Sequence, residues 1–318
     1  MFATLLAGLP TPDQVGASPI EVAIRAQEDA GLEPLTDGRL SDPGFGRLIA
    51  SLSGGIALDP GPVAAWRFAA ALTERAVKQT LPGPYSLGHT IDASGAPGPS
   101  GVDRATRTVA CADALRQEIQ ALVAAGCPMI EIEETDAHRI GQDEAERALF
   151  REAHVRLTDG IGGTHLSLSI VGRAADAAGI ETILAAPYAS LAVDLIEGPD
   201  NWNLVTRTAE ARGIVVGAMG ADERRDEPRE ILLWAAHYAA STMGRGGARV
   251  GLGSAGSWTH LSWATAVRKM RALGTAAKLA AMPPGEELLE AVDSQAVSAR
   301  RAALGSRASR IPKPRRTL

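Results

Sequence analysis

Met129-Ile-Glu-Ile-Glu-Glu134 is the stretch that decides the fold. Apolar and acidic residues alternate there, the period of a strand whose two faces meet different surroundings. Ile130 and Ile132 point one way, toward an apolar layer, and Glu131 and Glu133 point the other. The stretch before it, residues 104–125, carries apolar residues at three- and four-residue spacing through Leu115, Ile119, Leu122 and Val123, which is a helix pattern. Downstream the strand pattern returns in Gly163-Thr-His-Leu-Ser-Leu-Ser-Ile170. Leu166, Leu168 and Ile170 share one face, and His165, Ser167 and Ser169 share the other. Working outward, strands are expected over residues 2–7, 32–36, 84–89, 129–134, 163–170, 191–196, 213–218 and 248–253. Helices are expected over 19–30, 63–79, 104–125, 144–156, 174–184, 202–211, 229–243 and 258–282. Eight strands alternating with helices predict an α/β protein, a single (β/α)8 TIM barrel.

The composition agrees. Of 318 residues, 45% are hydrophobic and 22% charged, an ordinary balance for a soluble globule, and no linker divides the chain. The barrel is expected over 1–282, a further helix over 283–303 after the Pro283-Pro284-Gly285 break, and a basic tail over 304–318. A formal charge of −5 excludes a strongly basic nucleic-acid protein. From Ser294 onward there are seven basic residues and no acid, leaving 25 basic against 37 acidic residues in the body. Two cysteines, Cys111 and Cys127, exclude a disulfide scaffold and a cysteine-rich metal cluster; both are expected to be buried structural thiols. No apolar run is long enough to span a bilayer, and the first ten residues have no basic leader region. A cytoplasmic enzyme with a small-molecule substrate, and neither nucleic acid nor membrane as partner, is the expectation.

In a barrel the inward residues at the C-terminal strand ends form the active site. Glu131, Glu133 and Glu134, the inward His165, Ser167 and Ser169, Asp37-Gly38-Arg39, His89 with Asp92, Glu197, Asp222, and Trp258 with His260 make up the candidate ring. Arg39 would hold an anionic group by paired hydrogen bonds, or pair with Glu131 or Asp37. Trp258 and Trp263 could stack a flat substrate or pack on the rim. Gly251-Leu-Gly-Ser-Ala-Gly256 has the spacing of a dinucleotide fingerprint, but no acid follows it until Glu286, too far for a ribose contact.

Several of these stretches together resemble one family. Gln27-Glu-Asp-Ala-Gly-Leu-Glu-Pro-Leu-Thr-Asp-Gly-Arg39 is similar to the "Q…GLD…DGE" strand of the cobalamin-independent methionine synthases, and Gly83-Pro-Tyr-Ser-Leu87 to their "GPYTL". Residues 121–134 are similar to "LxxAGxxxIQIDEP", His165-Leu-Ser167 to "HxC", Val193-Asp-Leu-Ile-Glu197 to "aDxisiE", and Gly253-Ser-Ala-Gly256 to "PxCG". The matches run in family order from about residue 5 to residue 280 and cover the catalytic barrel alone. The chain resembles a divergent member of this superfamily, which also holds the uroporphyrinogen decarboxylases.

The resemblance implies a zinc-dependent methyl transfer from a methylated folate to a thiol, since zinc holds a thiol as the nucleophilic thiolate. Carried over by position, it places His165 and Glu197 as metal ligands; Tyr85, Asp37, Arg39, Ser167 and Trp258 are the candidate substrate-binding residues. The two cysteine ligands fall on Ser167 and Ala255, so the zinc site is degenerate. The aspartate that holds an amino group falls on Glu133, the glutamate of "DGE" becomes Arg39, and Ala7-Gly-Leu-Pro10 lacks the serine of "GSxP". These changes argue against methionine synthesis itself. Three readings follow. The first is a methyl or alkyl transferase completed by His89 or His260 or by carboxylates binding a harder cation. The second is a metal-free lyase, decarboxylase or demethylase with His165 and Glu133 as acid and base and Glu131 or Glu197 tuning them. The third is an inactive binding barrel.

Overall fold

The alternation expected from sequence is present along most of the chain. The computed structural model describes residues 1–13, 16–52, 61–94 and 102–283, together with 285 and 288. Strand β1 (Phe2–Thr4) leads to helices α1 (Pro19–Asp29), α2 (Gly46–Leu52) and α3 (Pro62–Ala70), then to β2 (Lys78–Pro82) and α4 (Pro84–Ser94). Helix α5 (Arg104–Ala124), β3 (Met129–Glu134), α6 (Glu144–Thr158), β4 (His165–Ile170) and α7 (Ile180–Ile183) follow. The chain continues through β5 (Ser190–Asp194), α8 (Trp202–Arg207), β6 (Gly213–Met219), α9 (Arg229–Ser241), β7 (Val250–Ser254) and α10 (Trp263–Ala280). Local chemistry starts the long helices: Asp103 caps α5 by accepting the Thr106 N–H, Asp143 caps α6, and Ser262 caps α10 through Thr265.

The seven strands among the described residues are all parallel, in the order β1-β7-β6-β5-β4-β3-β2, and the sheet curls with helices around it. The expected eighth strand at 32–36 is reduced to a single bridge, Leu35 with Val77. It does lie between the two sheet edges, because the Glu33 N–H donates to the Ala3 carbonyl and the Lys78 N–H to Leu35. Pro34 has no N–H to give a ladder, which limits the pairing there.

One strand was misplaced by the sequence reading. Residues 84–89 are helical, in α4, and the strand before it is Lys78–Pro82, buried throughout, so the helix expected over 63–79 stops at Ala70. Proline suits the first turn of a helix and cannot donate in a ladder. Glu134 fixes that turn by accepting the N–H groups of Tyr85 and Ser86.

Outward strand residues such as Ile130, Ile132, Leu168 and Val193 join one large core with the helices. Inside the curl Leu6, Ala192 and Val215 form a second apolar cluster, with Phe2 beneath them. Among the described residues no helix is long and apolar enough to cross a membrane. The expected C-terminal helix over 283–303 and the basic tail over 304–318 lie, apart from residues 283, 285 and 288, outside the described residues.

Candidate active site

Register decides which side chains share the lumen. Thr80, Glu131, Ser167 and Ser190 are paired neighbours across β2 to β5, and Pro82, Glu133, Ser169 and Ala192 are the next inward set. Asp194 follows on β5, beside Gly217 and Gly253 on β6 and β7. The polar half of the lumen therefore belongs to β2, β3 and β4 and the end of β5.

Two ion pairs fill that half. Lys78 and Glu131 are both fully buried, with Nζ 2.7 Å from Oε2. Above them Arg39 Nη1 donates to Glu133 Oε1 at 2.9 Å, with the two side chains 11% and 2% exposed. Burial pushes the Glu133 carboxyl up from its ordinary range; the Arg39 charge opposes the shift and the Glu131 charge adds to it. Glu131 Oε1, Glu133 Oε2, Ser167 Oγ and Ser169 Oγ are buried with no hydrogen-bond partner among the described residues. Buried polar atoms are nearly always paired, so four orphans in one lumen mark a place built for a polar guest.

Arg39 is held in a costly backbone conformation. Its φ is +57°, after Gly38 at +68°, and a non-glycine residue there is uncommon. Asp37 fixes this turn, accepting the Arg39 N–H at 2.9 Å and the Ser41 hydroxyl. The guanidinium lies 4.8 Å from the centre of the Phe45 ring. Its Nε and Nη2 run alongside Gly8, where even a Cβ would come within 3.3 Å. A cavity of about 30 Å³ adjoins the turn, lined by Asp37, Arg39, Ser41, Phe45, Gln79 and Thr80.

Asp194 ends β5 and is 1% exposed. Oδ1 accepts the N–H groups of Ile196 and Glu197, both at 2.9 Å, and Oδ2 accepts that of Gly172 at 3.2 Å. Burial raises its carboxyl to about 6 in spite of those three donors.

Several sequence-based assignments need correcting. His165 is the first residue of β4, level with Met129, at the N-terminal mouth of the sheet. Its Nε2 meets Ser190 Oγ at 2.8 Å, in a cavity of about 350 Å³ lined by Phe2, Met129, Ile214 and Arg249. Glu133 pairs with Ser169, four residues further on, or roughly 13 Å along the strand. His165 and Glu133 thus share a face but not an end, and the structure does not bring them together. A slip of two or four residues along a strand keeps the face and changes the depth, which is why a three-residue motif match can land at the wrong end.

Glu197 lies beyond β5 and is exposed, and the buried carboxylate at that strand end is Asp194. Ser167 lies one inward step below Ser169. Tyr85 and Glu134 belong to the helix layer: the Tyr85 hydroxyl donates to Glu146, and Glu134 binds the start of α4 and His154. Trp258 is 1% exposed and offers no open face to a ligand, although its Nε1 lacks a partner. His89 sits within α4, and the exposed His260 meets the Ala221 carbonyl. Asp92 pairs with Arg107, and Asp222 caps its own turn. After Gly251–Gly256 the next helix starts only at Trp263, so no helix end receives a phosphate there.

The residues present do not fit the zinc that the resemblance implies. His165 and Glu197 are apart, Ser167 and Ala255 are not thiolates, and among the described residues no three His, Cys, Asp or Glu side chains could hold a metal ion. Cys111 and Cys127 are buried, and burial pushes both thiols up to about 11.

No family profile matches the chain, and no curated protein does. Among solved structures the chain is similar to a B12-independent methionine synthase from Shewanella sp. W3-18-1, solved in complex with selenomethionine. Identity is 14% over 87% of this chain and 96% of that one, with a TM-score of 0.68. A methyltransferase from Methanosarcina mazei matches at 13% identity over 69% of this chain and 64% of that one, with a TM-score of 0.46. At such identities the first likeness establishes the fold: an α/β sheet of the kind found in TIM-barrel enzymes.

Lys78 and Asp194 were missed as candidates. The signal for Lys78 was there in Val77-Lys-Gln-Thr-Leu81, which alternates like a strand but follows a helix pattern without a break. Asp194 lies within Val193-Asp-Leu-Ile-Glu197, where the resemblance points to Glu197 instead.

Proposed function

We propose that this chain is an enzyme of the methionine-synthase-like barrel class that moves a methyl or alkyl group with carboxylates, not a zinc-bound thiolate, managing the protons. The observation that carries the reading is the set of four unpartnered polar atoms on Glu131, Glu133, Ser167 and Ser169, lining the polar half of the lumen. Glu133, raised by burial, is the acid, and Asp194, at the end of β5 and ionised above about pH 6, is the base. Arg39 orients the substrate, Ser169 offers a hydroxyl beside Glu133, and the methyl donor is a methylated folate by resemblance alone. The Arg39 guanidinium beside the cavity at the Asp37 turn also favours a second reading, a metal-free lyase or decarboxylase acting on a small carboxylated substrate.

The test is turnover by chelator-washed protein, with metal content measured on the same sample. Methylated folate plus small thiols, and separately small carboxylic acids, serve as substrates. Turnover unchanged by chelator is expected, and Glu133→Gln should lower it by about 100-fold, the usual scale for a general acid. His165→Ala, altered at the far mouth, should stay within about twofold of wild type, as for a change remote from the chemistry. Turnover that appears only with one zinc per chain, or that vanishes in His165→Ala, would sink the reading.

A further inference from the structure

The part of the lumen at β2, β3 and β4 holds two cations and two carboxylates, Arg39 with Glu133 and Lys78 with Glu131, and each cation bonds one carboxylate. That balance is complete before any ligand arrives. Both pairs are buried, so a third negative charge could not enter without a compensating positive one. Within the set, Arg39 is the cation placed to meet a newcomer. Lys78 is fully enclosed, whereas the Arg39 side chain is 11% exposed and borders the cavity at the Asp37 turn. Among the described residues its guanidinium makes one hydrogen bond, through Nη1, while Nε and Nη2, with none, run alongside Gly8. Glu133 has a second oxygen, Oε2, that is buried and bonded to nothing.

We propose that the site takes a small molecule bearing a carboxylate, that this carboxylate binds the Arg39 guanidinium, and that Glu133 takes up one proton from solvent as it does so. The inference rests on the reading of the lumen as the active site, and it names both the substrate class and the way the acid is charged. Proton and charge balance: one anion enters and one proton enters with it, so the net charge of the lumen, the Asp194 carboxylate at the end of β5 included, is unchanged. The groups facing Glu133 are Arg39, Glu131 and Lys78. Once Arg39 is shared with a ligand carboxylate, the counter-charge that holds Glu133 ionised is weakened, while burial and the Glu131 charge still favour its neutral form. Binding thereby produces a protonated carboxyl beside the substrate, a general acid that is loaded only when the substrate is present.

The experiment is calorimetric titration of the full chain with succinate, and separately with acetate, at pH 7 in three buffers of different ionisation enthalpy. The dependence of the heat on the buffer reads the protons taken up. For wild type, saturable binding with close to one proton taken up per ligand is expected. Glu133→Gln keeps the size of the side chain and an oxygen for Arg39, so it should still bind, at least as tightly, with no proton uptake. Arg39→Gln should weaken binding by about tenfold or more, the scale of a lost charge-assisted pair. If Arg39→Gln fails to fold, the Glu133→Gln comparison decides alone. Binding to wild type with no uptake, equal uptake in Glu133→Gln, or no saturable binding of either acid would overturn the proposal. Uptake without any turnover would leave it standing and count against the proposed reaction instead.

Discussion

Asp194 shows how a single carboxyl can carry a stability signature that its hydrogen bonds would not suggest. Three backbone N–H groups point at it, and that alone would favour the charged form; burial outweighs them and raises the carboxyl from 3.8 to about 6. The folded state therefore binds a proton that the unfolded chain has already released. The contribution is fully present below about pH 4 and is lost as the pH rises through 6, by about 2–3 kcal/mol at roughly 1.4 kcal/mol per unit. Asp194→Asn, neutral at every pH, should gain on wild type by that amount between pH 4 and pH 7 in urea unfolding. A difference that stays flat with pH would mean that the carboxyl titrates at its ordinary value.

At the scale of elements, β3 works on two sides at once. Its inward residues Glu131 and Glu133 face the lumen, while its last residue, Glu134, faces the helices. Glu134 accepts the N–H groups of Tyr85 and Ser86 at 3.0 and 2.8 Å and meets His154 Nε2 at 2.9 Å, and His154 in turn meets the Tyr188 hydroxyl. One carboxylate thus ties the start of α4 to β3 and α6. Glu134→Ala should cost about 3–5 kcal/mol, the scale for breaking a buried pair, seen as a fall in the denaturation midpoint. A cost below about 1 kcal/mol would show that α4 is held by its apolar face instead. The same strand explains what sequence could and could not reveal. Strict alternation made β3 readable to the residue and β4 to within two residues at its start, and the three-to-four spacing placed α5 to within one residue. Depth along a strand is not encoded by alternation, so His165 was placed at the wrong end and Asp194 was overlooked. The Val77–Leu81 strand was absorbed into a helix because no glycine or proline separates the two patterns before Pro82.

The whole molecule is divided by its lumen. On the side of β1, β5 and β6 the inside is apolar, with Leu6, Ala192 and Val215 packed over Phe2, and Gly251 and Gly253 on β7 leave room for Phe2, Leu6 and Val215. On the side of β2, β3 and β4 it is charged, and the Lys78–Glu131 pair forms the floor beneath Glu133. A barrel needs a filled interior for stability, and apolar residues fill one without any desolvation cost, so a fully buried ion pair is poor economy unless it serves the site. Lys78→Met or Glu131→Leu alone should cost about 3–5 kcal/mol by stranding a charge, and the double variant should cost less than either, because an apolar pair can replace a buried salt bridge. Turnover should not recover with stability: the double variant should stay down by about tenfold or more, since the floor of the acid site has lost its charges. Denaturant unfolding and turnover measured on the same three variants separate the two roles, and a double variant that regains both would assign Lys78 and Glu131 to packing alone.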